Sequence, residues 1–245
     1  MNPSIHKSGS PETPPIILSA SSQNASQTEY RPMEQGTGIT STLEALLKHP
    51  ERVMFQINLA EQGKLLASLL GIILLCLSVY GLIVGTFSGG EQLWAAPFKI
   101  TIGMFLSTLI CLPSLYIFAC LNGLDVKISR VSSLLFAAVA LNSVLLIGFA
   151  PVAWIFSQST NSVAFMGTLH LFFWAIGANF GLKLLFKGLG HQKADELQHL
   201  RVWGTIFILV VMQMTTTLRP IVGTSETFLP EKKKFFITHW MDSSK

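Results

Sequence analysis

The 52 residues from Val131 to Leu182 contain no Asp, Glu, Lys or Arg. About 20 predominantly apolar residues suffice for one helical crossing of a bilayer, so a run of this length predicts two. Further charge-free stretches at 65–90, 100–124 and 202–218 extend the pattern to a multi-span membrane protein. In hydrocarbon each backbone N–H and C=O has to find its partner within the segment, which makes helices the expected form of these stretches.

Composition agrees with that placement. Only 12% of the residues are charged and the mean hydropathy is +0.51, against roughly 25% charged residues in an ordinary soluble domain. The net charge of +4 comes from 17 basic and 13 acidic residues outside the spans. There, basic groups orient a membrane protein rather than bind nucleic acid, and no nucleic-acid partner is expected. Cys76, Cys111 and Cys120 all fall in apolar segments and read as small packing residues, not as a disulfide or metal set.

Four regions follow from the patterning. Residues 1–40, with Pro3, Pro11, Pro14, Pro15 and Pro32 among Ser, Thr, Gln and Asn, have too little apolar area to offset the entropy of ordering and read as a disordered cytoplasmic tail. Residues 41–63 read as two short amphipathic helices. The first is opened by a capping box of Ser41 and Glu44, and the second runs from Glu51 to about Gln62 with Val53, Met54 and Ile57 on one face. They either lie on the membrane surface or dock under the spans, with Leu47 taken as part of the apolar face. Residues 64–223 form the membrane domain, and 224–245 a short C-terminal tail. The spans are expected at 65–86, 98–122, 131–156, 162–182 and 202–218, the third and fourth separated by the polar cluster Ser157, Gln158, Ser159, Thr160 and Asn161. Pro113 is expected to kink the second span. Trp94, Trp154 and Trp203 fall near the ends of spans, where amphipathic indoles meet headgroups, and only Trp174 is placed in mid-span.

The same lack of charge that reveals the membrane removes most of the residues that would mark chemistry within it. His170 is the one Asp, Glu, Lys, Arg or His residue well inside an expected span, and it has no carboxylate or second histidine nearby in sequence for a proton relay or metal. A neutral, hydrogen-bonded interhelical role is expected for it. Asn142, Asn179 and Gln213 complete the candidate intramembrane polar network, since such side chains join helices or line a polar path. Gly177 with Gly181, and Gly81 with Gly85, are G-x-x-x-G pairs, read as packing within the chain. Arg219, followed by Pro220 at the last helix exit, is a candidate for capping carbonyls or contacting lipid phosphate. The paired histidines of H-E-x-x-H, a G-x-S-x-G serine and a glycine-rich phosphate loop do not occur, so no enzyme, cofactor or metal is expected.

The layout resembles the Yip family and its bacterial look-alikes over about 64–223. The resemblance rests on five closely spaced spans after a polar N-terminal region and on the phrases Phe98-Lys99-Ile100, Cys111-Leu112-Pro113-Ser114-Leu115-Tyr116 and Gly148-Phe149-Ala150-Pro151. The phrase from Leu218 to Gly223 is similar to one in bacterial membrane proteins of this shape. The short Tyr-Gly-Pro motif of the eukaryotic members does not occur, so their link to small GTPases and vesicle traffic does not transfer. What the resemblance implies is an all-α, five-span protein of the bacterial inner membrane. The expected function is non-catalytic, as a scaffold, assembly or membrane-organising component. A small-molecule or lipid transporter using the polar faces of the third to fifth spans is the alternative. Membrane lipids and either a membrane-protein partner or a second copy are the expected partners. Basic residues in the loops place the N-terminus in the cytoplasm and the C-terminus outside.

Overall fold

The computed structural model describes residues 38–58, 62–90, 92–190 and 198–217, and these form seven helices with no strand among them. They are α1 (Ile39–Lys48), α2 (Pro50–Ile57), α3 (Gln62–Ser88), α4 (Gln92–Leu121), α5 (Ile128–Ser159), α6 (Val163–Gly188) and α7 (Gln198–Thr217). Four of them, α3 to α6, are long and apolar enough to cross a membrane, and α7 carries a shorter apolar stretch, Leu200–Met214. Most of the proposed N-terminal tail, the loop holding His191 and Lys193, and everything from Leu218 onward, Arg219 included, lie outside the described residues.

The bundle is organised around α5. Its residues from Ser133 through Ala140 are all buried, so that helix is enclosed on every side rather than along one stripe. Helix α3 packs on both α4 and α5, α6 packs on α5, and α7 packs on α4, while α6 and α7 meet only marginally. On α3 the buried positions Leu65, Leu69, Ile73, Leu77, Tyr80 and Val84 recur at helical spacing and form the face turned to its neighbours. The polar cluster after the third span turns the chain as expected. Helix α5 ends at Ser159, and Ser162 Oγ accepts the Phe165 N–H at 3.3 Å to cap α6. The turn between α3 and α4 is tighter than the sequence suggested, with Gly89 and Gly90 at φ of 65° and 56°, a left-handed conformation that glycine adopts without cost.

Several expected boundaries move. Helix α4 starts at Gln92 instead of Phe98 and runs through both Pro97 and Pro113. So close to a helix start Pro97 frees a single carbonyl, and its ring sits where Gly81 of α3 has no side chain: a Cβ there would come within 2.5 Å of Pro97 Cα. Helix α6 continues past Leu182 to Gly188, because exposed Lys183 and Lys187 can carry their charges to the interface while their stems stay on the helix. The proposed capping box does not form. With Gly38 as N-cap, Ser41 lies in the first turn and donates to Gly38 O at 2.9 Å, and Glu44, a turn further on, accepts from Lys48 Nζ at 2.9 Å instead. The Lys48 hydrogen bond and charge hold the Glu44 carboxyl below its usual range, but both partners are exposed, so the pair adds little to stability.

The two short helices dock beneath the spans. Helix α1 touches α3 and α5, and α2 touches α3, α5 and α6. Pro50 at the first turn of α2 makes a sharp joint, and α2 ends at Ile57 rather than near Gln62. The docked face consists of Thr42, Ala45, Leu46, Val53 and Ile57, all buried, whereas Leu47 is 53% exposed. A helical step of 100° separates Leu46 from Leu47 and decides which of two adjacent leucines is covered. Accordingly Leu46→Asp should release α1 and α2, raising amide exchange throughout 39–57, while Leu47→Asp should leave exchange close to that of the unmodified protein. Equal exchange in the two variants would refute this docking.

Candidate functional site

Of the expected polar network, His170 finds its hydrogen-bond partner outside the set, Asn142 has none among the described residues, and Asn179 is exposed. His170 of α6 is joined to Tyr80 of α3, with Oη and Nδ1 2.7 Å apart and the rings edge to face at 5.7 Å between centroids. A phenol always carries a proton to give, so the arrangement favours the tautomer in which Tyr80 donates to Nδ1 and the ring proton stays on Nε2. Nε2 is buried and has no hydrogen-bond partner among the described residues. The backbones of α3 and α6 do not otherwise approach each other, so this neutral pair is the strut between them. Tyr80 escapes a search for charged residues, yet it sits at 4% exposure on the 3.6-residue core stripe of α3, a pattern readable in sequence. A double-mutant cycle of Tyr80→Phe and His170→Ala should give a coupling of about 0.5–1.5 kcal/mol, the range of interhelical hydrogen bonds in membranes. Additive effects in detergent unfolding would show that the strut carries no energy.

Asn142 lies near the middle of α5 and is 2% exposed, and neither Oδ1 nor Nδ2 finds a hydrogen-bond partner among the described residues. Leaving a buried amide unmatched costs about 1–3 kcal/mol. Its carboxamide lies directly over Gly177 of α6, where any Cβ would collide with Oδ1. One turn along, a Cβ on Gly181 would stand 2.6 Å from the Ala138 carbonyl oxygen. This G-x-x-x-G pair therefore serves packing within the chain. It brings α6 against α5, and Asn142 is among the residues around a crevice of about 20 Å³.

Asn179 is exposed on the outer surface of α6, one turn before Lys183, and Gln213 is half-buried on α7. Arg219 lies outside the described residues. Two further residues were missed. Lys99 is only 2% exposed and stands about 10 Å inside the end of α4, at 1.5 Å per residue, so His170 is not the sole ionisable group in a span. Placing the start of the second span at Phe98 had put Lys99 at the interface. Trp203, expected at headgroup depth, is instead fully buried. Its Nε1 donates to Ser114 Oγ at 3.0 Å and to Cys111 O at 3.4 Å, and its ring stacks on Phe207 at 5.3 Å. At the end of the bundle that carries α1 and α2, Arg130 Nη2 donates to Gly188 O at 3.2 Å, placing a cation on the last carbonyls of α6.

Chemically these are three hydrogen-bonded contacts between helices and one buried amide with no partner among the described residues. Comparison with protein families, with curated proteins and with solved structures yields no match.

Proposed function

We propose that this chain is a five-span protein of the bacterial inner membrane that acts without catalysis, as a scaffold, assembly factor or membrane-organising component of the Yip-like kind. The observation that carries the reading is the placement of the polar residues. Asn142 is turned to Gly177, His170 reaches Tyr80 of α3, and Asn179 is exposed on the outer side of α6, the arrangement of a framework more than of a solvent-filled path. Helix α7, with 20 residues, reaches about 30 Å at 1.5 Å per residue and packs along α4, which supports counting it as the fifth crossing. Lys48, Arg52, Lys64, Lys127, Arg130, Lys183, Lys187 and Arg201 all lie at the end of the bundle bearing α1 and α2, and the positive-inside bias makes that end cytoplasmic.

Single cysteines in a background lacking Cys76, Cys111 and Cys120 test both parts of the proposal. In intact membranes, cysteines at Asn142 and His170 should resist a membrane-impermeant maleimide from either side, and those at Asp125 and Lys193 should react only from the cytoplasm. Cysteines at Ser159 and after Lys245 should react only from outside. Labelling at Asn142 or His170 would replace the scaffold with the transporter. A cytoplasmic C-terminus together with a cytoplasmic Lys193 would rule out the fifth crossing.

A further inference from the structure

The first turn of α1 stands against the outer side of a membrane span. Gly71 of α3 has no side chain and Ile39 lies beside it: a Cβ at Gly71 would come within 3.3 Å of Ile39 Cδ1. One turn further along α3 are Leu74 and Leu75, 50% and 67% exposed on the lipid-facing surface, and Ile39, itself 53% exposed, continues that surface onto α1. Gly71 lies eight residues inside the apolar helix Gly63–Phe87, whose 25 residues reach about 37 Å against about 30 Å of hydrocarbon. Sharing the excess between the two ends puts Gly71 about 8 Å inside the acyl layer, within the roughly 5–10 Å that an interfacial helix penetrates.

At about 100° per residue, α1 divides into three faces. Thr42, Ala45 and Leu46 are the docked face. Thr40, Glu44 and Lys48 are exposed and polar, with Glu44 and Lys48 paired to each other. Between the two lies an apolar flank of Ile39, Leu43 and Leu47, of which only Leu43 is half-buried. A helix that merely docked under the bundle would need the first two faces alone.

We propose that α1 is a wedge in one leaflet, with the flank of Ile39, Leu43 and Leu47 inserted among the acyl chains beside α3. It is deepest at Ile39 and shallowest at Leu47, next to Lys48 at the headgroups. The flank runs on from the lipid-facing stripe of α3, and the ion pair of Glu44 with Lys48 keeps a lone charge from entering with it. The shallow end also explains why Asp at Leu47, meeting headgroups and water, should leave the docking of α1 undisturbed. The wedge holds whichever side of the membrane is cytoplasmic and is independent of the scaffold reading.

Nitroxide labels on single cysteines, in the background lacking Cys76, Cys111 and Cys120, test the wedge. Full-length protein in nanodiscs of phosphatidylcholine and phosphatidylglycerol carries Ile39→Cys, Leu43→Cys or Leu47→Cys on the flank, and Thr40→Cys, Glu44→Cys or Lys48→Cys on the polar face. Oxygen concentrates among acyl chains, whereas a nickel chelate stays in water. The ratio of oxygen to nickel accessibility should be severalfold higher on the flank than on the polar face and should fall from Ile39 to Leu47. The label at Ile39 should lie about 5–10 Å below the headgroups. Equal ratios on the two faces, with nickel reaching both, would put the flank in water and overturn the proposal. Low accessibility of Ile39 and Leu47 to both reagents would show that protein covers the flank, either a second copy or another segment of the chain, and would overturn it as well. Should Leu43→Cys disturb the docked helix, the two exposed positions Ile39 and Leu47 decide alone.

Discussion

Trp203→Ala should cost the membrane domain about 3–5 kcal/mol, the range for removing a large aromatic side chain from a packed core. Helix α7 has few other ties, since it packs mainly on α4 and only marginally on α6. Trp203 is fully buried at that contact, stacked on Phe207, with Nε1 held by Ser114 Oγ and Cys111 O. Trp203→Phe keeps most of the ring area and loses only the N–H contact, so its cost should be closer to 1 kcal/mol. Unfolding in mixed detergent micelles, titrated with a denaturing detergent, would read both values. The assignment fails if phenylalanine and alanine prove equally costly, because an indole at the interface would lose little in either case.

Gly181→Ala should destabilise the fold by about 1–3 kcal/mol, as overpacking of a tight core does. The new methyl would stand 2.6 Å from the Ala138 carbonyl oxygen, and since that atom is backbone, α6 itself would have to move away from α5. The shift would also loosen the stack of Phe149 on Phe173, 4.7 Å between centroids, which joins the same two helices. Gly148→Ala provides the contrast. Nothing lies within 4 Å of a Cβ there, so replacing a helical glycine should stabilise by roughly 0.5–1 kcal/mol. Changes of the same sign in the two variants would show that α5 and α6 do not pack as closely as described.

For both residues the sequence offered a pattern and the wrong or incomplete sense of it. Trp203 at the edge of an apolar run has the signature of an interfacial indole, and only the neighbouring α4, with Ser114 at the matching height, makes it a core residue. The Gly177 and Gly181 pair was legible as a close-packing motif. Its partner, Asn142 and Ala138 on α5, was not, because nothing in one helix's sequence says which face of another it meets. Tyr80 and His170 are ninety residues apart in the chain and share a hydrogen bond only because both helices flank α5.

The sequence by itself determined the membrane location, the helical class, the four long spans and the turn at Thr160 to Ser162. Each depends on a local quantity, the transfer of some twenty consecutive side chains into hydrocarbon or the propensity of a few turn residues, and that quantity is the same whatever the rest of the chain does. Only the tertiary structure decided which leucine of the Leu46–Leu47 pair is covered, that Lys99 is enclosed, and that His170 is held by Tyr80. In a bilayer every apolar face is equally at ease against lipid or another helix. The choice among faces therefore rests on close approach at small residues and on hydrogen bonds between helices, which are properties of pairs of surfaces and not of a sequence window.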